Sequence, residues 1–132
     1  MTADTKTVLV VDDEPDTRTF LTTLLEDNGF ATVTANDGDQ ALTAVQRSRP
    51  DLISLDITMP EKSGVRFYRE MRESEEYKDI PIIIVTGVSG DFERFISTRG
   101  KVPAPDGFVP KPVDKERFLQ LVRKLAGPVQ QA

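Results

Sequence analysis

An α/β fold built on a parallel sheet is the architecture that these 132 residues predict. Strand-like and helix-like segments alternate along the chain, as they do where helices wrap a parallel sheet. The apolar runs Val8–Val11, Leu52–Leu55 and Ile82–Val85 are nearly continuous, which suits strands covered on both faces. These runs stop at residues suited to chemistry, Asp12 and Asp13, Asp56 and Thr86 in turn, and a fourth short run, Phe108–Val109, is followed by Pro110 and Lys111.

The elements follow in order. Thr7–Val11 reads as the first strand, and Pro15 stands where the first helical turn begins, a position that tolerates its missing N–H. Leu21, Leu24 and Leu25 mark one face of that helix, and Gly29 stops it. Phe30–Ala35 is a weaker, alternating strand nearer an edge. Asn36-Asp37-Gly38 is a turn, and Ala41, Leu42 and Val45 form the buried face of the second helix. Pro50-Asp51 introduces the third strand, Leu52–Asp56. A loop through Pro60 leads to a helix from about Gly64 to Ser74, with Val65, Tyr68 and Met71 on one side.

Ile80–Thr86 is the fourth strand, with Pro81 among its first positions. Between 87 and 107, Phe92, Phe95 and Ile96 suggest a short amphipathic helix; Gly100, Pro103 and Pro105 then impose an irregular, exposed connection. The last helix spans about Asp114–Ala126. Asp114 serves as its N-cap, Phe118, Leu121, Val122 and Leu125 as its apolar stripe, and Gly127-Pro128 as its stop. The domain organisation expected is a tail over 1–6, one domain over 7–126 and a tail over 127–132.

Composition narrows the function. Hydrophobic residues make up 38% and charged residues 30%, the balance of a globular domain. A net charge of −5 argues against direct nucleic-acid binding, which usually needs a basic face. The chain has no cysteine and no histidine, so disulfides, a Cys/His zinc site and a His-dependent triad are excluded. The first six residues are polar, and the longest aliphatic stretch is far below the ~20 residues that span a bilayer. Cytoplasmic residence without membrane association is the expectation.

In a parallel sheet all carboxyl ends share one edge, and open α/β sheets bind ligands there, where strand order reverses. With order 2-1-3-4-5 the first and third strands are neighbours at that point, bringing Asp12, Asp13 and Asp56 within a few ångströms. Carboxylates so close repel, and at least one pKa rises in the metal-free state. A hard divalent cation removes that penalty, and Mg²⁺ suits one or two carboxylates with places left for water, carbonyl and phosphate oxygens. Each residue also has an ordinary explanation. The acids before Glu14-Pro15 suit a helix N-terminus, Asp56 suits a turn, Thr86 suits a strand, and Lys111 suits a solvated surface.

Several motifs in order resemble the receiver domain of two-component response regulators: Val-Val-Asp-Asp-Glu-Pro (10–15), the run from Pro50 to Pro60, Ile-Val-Thr-Gly (84–87) and Pro-Lys-Pro (110–112). The run Asn36–Leu42 also looks like that family's second helix entrance, and the resemblance covers about residues 6 to 126. It implies a flavodoxin-like, doubly wound, five-stranded parallel sheet of order 2-1-3-4-5 with helices on both faces. It also implies Asp56 as phosphoacceptor, forming an acyl phosphate. Asp13 would bind Mg²⁺ directly, Asp12 largely through water, and the Thr58 carbonyl would supply a further ligand. Lys111 would neutralise a phosphoryl oxygen, and Lys111–Pro112 becomes a candidate cis bond.

The same resemblance implies a switch in which the Thr86 hydroxyl moves to the phosphoryl group and Phe108 swings toward the vacated space; Phe108 equally suits a core position. The partners implied are a sensor histidine kinase or phosphotransfer protein and a downstream protein, with the oligomeric state open. Residues 100–105 depart from the family pattern, so its dimerisation face is not carried over. Arg94, Arg99 and Lys101 serve either as partner contacts or as ordinary surface. Only six residues follow Ala126, too few for a helix-turn-helix, and a stand-alone receiver is expected over a piece of a longer chain. Val88 offers no group to orient a hydrolytic water, which suggests slow-to-moderate dephosphorylation.

Three other classes compete. A haloacid-dehalogenase-like phosphatase wants a second acid two residues after its nucleophile, where this chain has Thr58. A P-loop ATPase needs a glycine-rich loop ending in Gly-Lys-Ser or Gly-Lys-Thr, which is missing. The remaining alternative is a pseudo-receiver, a scaffold of the same fold that is never phosphorylated; the complete acid, hydroxyl and lysine set argues against it.

Overall fold

The computed structural model describes residues 5–57, 59, 63–87 and 105–127. Five parallel strands form one sheet: β1 (Thr7–Val11), β2 (Ala31–Ala35), β3 (Leu52–Asp56), β4 (Ile82–Thr86) and β5 (Gly107–Pro110). Their order is β2-β1-β3-β4-β5, as the sequence predicted. Four helices stand among the described residues: α1 (Pro15–Asp27), α2 (Gly38–Arg47), α3 (Ser63–Glu73) and α4 (Lys115–Ala126).

Successive side chains of a strand point to opposite faces, so each central strand feeds two cores. Leu9, Val11, Ile53, Leu55, Ile82 and Ile84 meet Ala41 and Val45 of α2 and Phe67, Tyr68 and Met71 of α3. Val8, Val10, Leu52, Ile83 and Val85 meet Leu21 and Leu25 of α1 and Phe118 and Val122 of α4. Burial on both sides explains the continuous apolar runs, because β3 and β4 are buried at every position. Edge strand β2 alternates less strictly and leaves Val33 exposed.

Local signals set the helix ends. Pro15 occupies the first turn of α1, and Gly29 beyond its end has φ 90°, a conformation that favours glycine. The Asp37 carboxylate accepts the Gln40 N–H at 2.8 Å to cap α2, and Asp114 accepts the Arg117 N–H at 3.1 Å to cap α4. The elements differ from expectation in a few details. The fourth strand starts at Ile82, because Pro81 contributes only its carbonyl, which accepts the Ile53 N–H at 3.0 Å. In α3, Val65 packs partly buried against the core with Tyr68 and Met71, and Phe67, absent from the expected stripe, is buried beside them. The helix expected around Phe92–Ile96, and the charges Arg94, Arg99 and Lys101, lie outside the described residues.

A polar clamp holds the sheet edge opposite the carboxyl ends. Arg72 of α3, with a side chain 5% exposed, donates through Nη1 to the carbonyls of Lys78 (2.9 Å) and Ile80 (2.7 Å). Its Nη2 lies 2.6 Å from Asp106 Oδ2, which also accepts the Ile82 N–H at 2.9 Å. One guanidinium therefore ties the end of α3 to the starts of β4 and β5. Removing it strands carbonyls and a carboxylate, so Arg72→Met is expected to lose about 3 kcal/mol in urea unfolding. Asp106→Asn is expected to lose less, since that side chain is 38% exposed.

Candidate metal centre at the carboxyl edge of the sheet

All five strands end at one edge, and β1 and β3 are paired through Val11 and Leu55. The residues that follow are Asp12 on one strand and Asp56 on the other. One carboxylate oxygen from each of Asp12, Asp13 and Asp56 lies within 4.8 Å of the others. Asp12 and Asp56 are buried and Asp13 is exposed, so the cluster opens to solvent through Asp13.

The backbone around Asp12 is fixed from several directions. Its N–H donates to Ala35 O at 3.1 Å, its Oδ1 accepts the Glu14 N–H at 2.9 Å, and its carbonyl accepts Arg18 Nη1 at 2.8 Å. Asp12 Oδ2 is buried and accepts no well-aligned hydrogen bond among the described residues. Its nearest cation is Lys111 Nζ at 3.2 Å, an ion pair rather than a directed bond. Lys111 Nζ also lies 3.5 Å from Asp56 Oδ2 and 2.7 Å from Glu14 Oε1. The lysine is anchored by its own N–H, which donates to Thr86 O at 2.7 Å, and by a cis Lys111–Pro112 peptide.

The electrostatics follow from this crowding. Burial is the largest influence on Asp12 and raises its pKa above the ordinary aspartate value; the Asp56 charge adds to that rise. Repulsion between acids, expected from the sequence, is therefore present but second to desolvation among the raising causes. Burial works against the Lys111 ammonium, yet the Glu14 hydrogen bond and the Asp56 and Asp12 charges outweigh it and raise its pKa. The same hydrogen bond holds Glu14 below the ordinary glutamate range.

Most of the predicted site residues meet here. Asp12, Asp13, Asp56 and Lys111 form one cluster, and Thr86 is buried on the neighbouring strand, one residue past the Val85 that pairs with Asp56. Phe108 is farther back on β5, opposite Ile84 and partly buried against the core shared with α2 and α3. Thr58 and Val88 lie outside the described residues.

Three contributors escaped the sequence reading. Glu14 stood inside a quoted motif but had no assigned role. Arg18 gave no signal. Gly64 reads in the sequence only as a helix start, yet a Cβ there would collide with the Asp56 carbonyl oxygen and lie 2.9 Å from Ile57 Cα. Only glycine lets α3 approach the backbone behind Asp56 so closely.

The response regulator receiver domain model matches residues 8–123. The chain belongs to the response regulator receiver domain family. Its receiver domain is 39% identical over 116 residues to the CAI-1 autoinducer sensor kinase/phosphatase CqsS of Vibrio cholerae, covering 87% of this chain but 16% of that protein. It is 30% identical over 125 residues to the polar-differentiation response regulator DivK of Brucella ovis, covering 93% of this chain and 98% of DivK. Among solved structures, the receiver domain of a Pseudomonas aeruginosa sensor histidine kinase superposes with TM-score 0.81 at 26% identity, covering 93% and 98% of the two chains. That neighbour was solved with a magnesium ion coordinated in its active-site cleft. No helix among the described residues of this receiver domain is long and apolar enough to cross a membrane.

The donor set fits such an ion: three carboxylates supply hard oxygens, and the poorly satisfied Asp12 Oδ2 wants positive charge. An acid whose folded pKa is raised destabilises the fold as pH climbs above its unfolded value, so at neutral pH Asp12 opposes folding. Asp12→Asn is therefore expected to raise the melting temperature in chelator. The wild type is expected to gain about 2.7 kcal/mol from Mg²⁺ at a hundred times its dissociation constant, and the variant to lose most of that gain at the same concentration. Thermal unfolding with and without Mg²⁺ measures both.

Proposed function

We propose that this chain is a phospho-accepting receiver of a two-component system, in which a partner's phosphohistidine transfers its phosphoryl group to Asp56. The observation that carries this reading is the buried Asp56 carboxylate, set in an acid cluster with Lys111 Nζ 3.5 Å from its Oδ2. An Asp56 oxygen attacks phosphorus and forms the new O–P bond. The P–N bond to the imidazole breaks and the leaving nitrogen keeps the electron pair; the ring departs as neutral imidazole because its other nitrogen carries a proton before the transfer.

Lys111 carries its positive charge to the phosphoryl oxygens, where it stabilises charge in the transfer. Asp13 would hold Mg²⁺ directly, with Asp12 acting largely through water and Asp56 and the Thr58 carbonyl completing the protein ligands. When bound, Mg²⁺ cancels repulsion among the acids and polarises phosphoryl oxygens. The acceptor reacts on its own carboxylate and returns by hydrolysis of the acyl phosphate, without turnover of a separate metabolite.

The output in this reading is a changed surface. An aspartyl phosphate adds charge and acceptor oxygens close to Thr86, whose hydroxyl would turn toward it, with Phe108 following. The linkage is short: Lys111 bonds to the Thr86 carbonyl and stands three residues after Phe108. A downstream protein would read that change.

Incubation with Mg²⁺ and acetyl phosphate, followed by intact-mass spectrometry, tests the assignment. One phosphate adduct is expected on the wild type, lost with chelator and absent from Asp56→Asn. An adduct that survives in Asp56→Asn places the acceptor elsewhere.

A further inference from the structure

We propose that Glu14 holds Lys111 in the unphosphorylated domain and competes with the phosphoryl group for its ammonium. The inference rests on the reading of Asp56 as acceptor and names a positioning residue for that site. Three carboxylates surround Lys111 Nζ, and the shortest contact, 2.7 Å, is to Glu14 rather than to the buried acids at 3.2 and 3.5 Å. The Glu14 contact is a directed hydrogen bond, whereas Asp12 and Asp56 face the ammonium as ion pairs.

Glu14 differs from the other two acids in freedom. Asp12 and Asp56 are 1% and 2% exposed at the ends of packed strands, whereas the Glu14 side chain is 61% exposed. It occupies the N-cap position of α1, yet its side chain makes no cap hydrogen bond. Its Oε1 reaches across 97 positions of chain to Lys111 instead. A phosphoryl group on Asp56 would bring strong acceptor oxygens and about −1.5 to −2 charge to the same ammonium. Glu14 is the partner that can leave without moving a strand. Until it leaves, its charge also stands at the mouth of the site and opposes an incoming dianion.

The size of the effect is bounded. Exposed ion pairs are worth about 0–1 kcal/mol, up to roughly a five-fold change in affinity. Beryllium fluoride, a tetrahedral stand-in for the phosphoryl group on a carboxylate, is the probe, titrated calorimetrically at saturating Mg²⁺. Glu14→Gln is expected to bind it about two- to five-fold more tightly than the wild type. Asp16→Asn removes an equal charge from the first turn of α1 without touching a Lys111 partner, and is expected to show less than half that gain. Thermal unfolding confirms that the variants are folded.

A Glu14→Gln affinity equal to or weaker than wild type overturns the proposal, as does an equal gain in Asp16→Asn. In both cases the wild type still binds and the reading of Asp56 stands. A wild type that binds no beryllium fluoride overturns the reading and the proposal together.

Discussion

Three carboxylates held within 4.8 Å of one another, two of them buried, create a demand for positive charge that shapes the rest of the site. Lys111 meets part of it. Its ammonium sits among Asp12, Glu14 and Asp56, and those anions keep it charged despite burial. The remainder is visible in Asp12, whose carboxyl is raised by burial and by Asp56, and whose Oδ2 lacks a directed donor among the described residues. A fold selected for stability alone would not place these groups together, since unpaired buried charge is among the costlier features of a core.

The sheet makes the crowding possible. Parallel pairing of β1 with β3 sets Val11 beside Leu55, so the residues that follow arrive at the same level of the same edge. Two apolar cores, one on each face, hold that register against the repulsion. Gly64 lets α3 press on the backbone of Asp56 from behind, and Arg18 pins the Asp12 carbonyl from α1. At the far edge, Arg72 and Asp106 tie the beginnings of β4 and β5, the strands that carry Thr86 and lead into Lys111. Rigid strands thus present the buried acids, while the exposed Glu14 is the adjustable member of the cluster.

How much of this could be read from the chain depended on whether the signal was local. Strands buried on both faces leave continuous apolar runs, so β1, β3 and β4 and the acids ending them were legible. Helix ends marked by Pro15, Gly29, Asp37 and Asp114 were legible for the same reason. Gly64 was harder, because its importance comes from a backbone approach across the sheet edge. The Glu14–Lys111 and Arg72–Asp106 pairs join residues 97 and 34 positions apart, and no periodicity encodes such a meeting. The α3 stripe of Val65, Tyr68 and Met71 packs on the core as expected, but it lacked Phe67, which is buried beside Tyr68 and fills much of that core.

The central claim is that acids from β1 and β3 share one divalent cation facing Lys111. A Mg²⁺ titration followed by backbone amide NMR tests it most directly. The account predicts saturable, single-site shifts concentrated at the amides of residues 12–14, 55–57, Lys111 and Val113. Shifts centred on other acids, such as Asp37 and Asp39, or no saturable response, would contradict it.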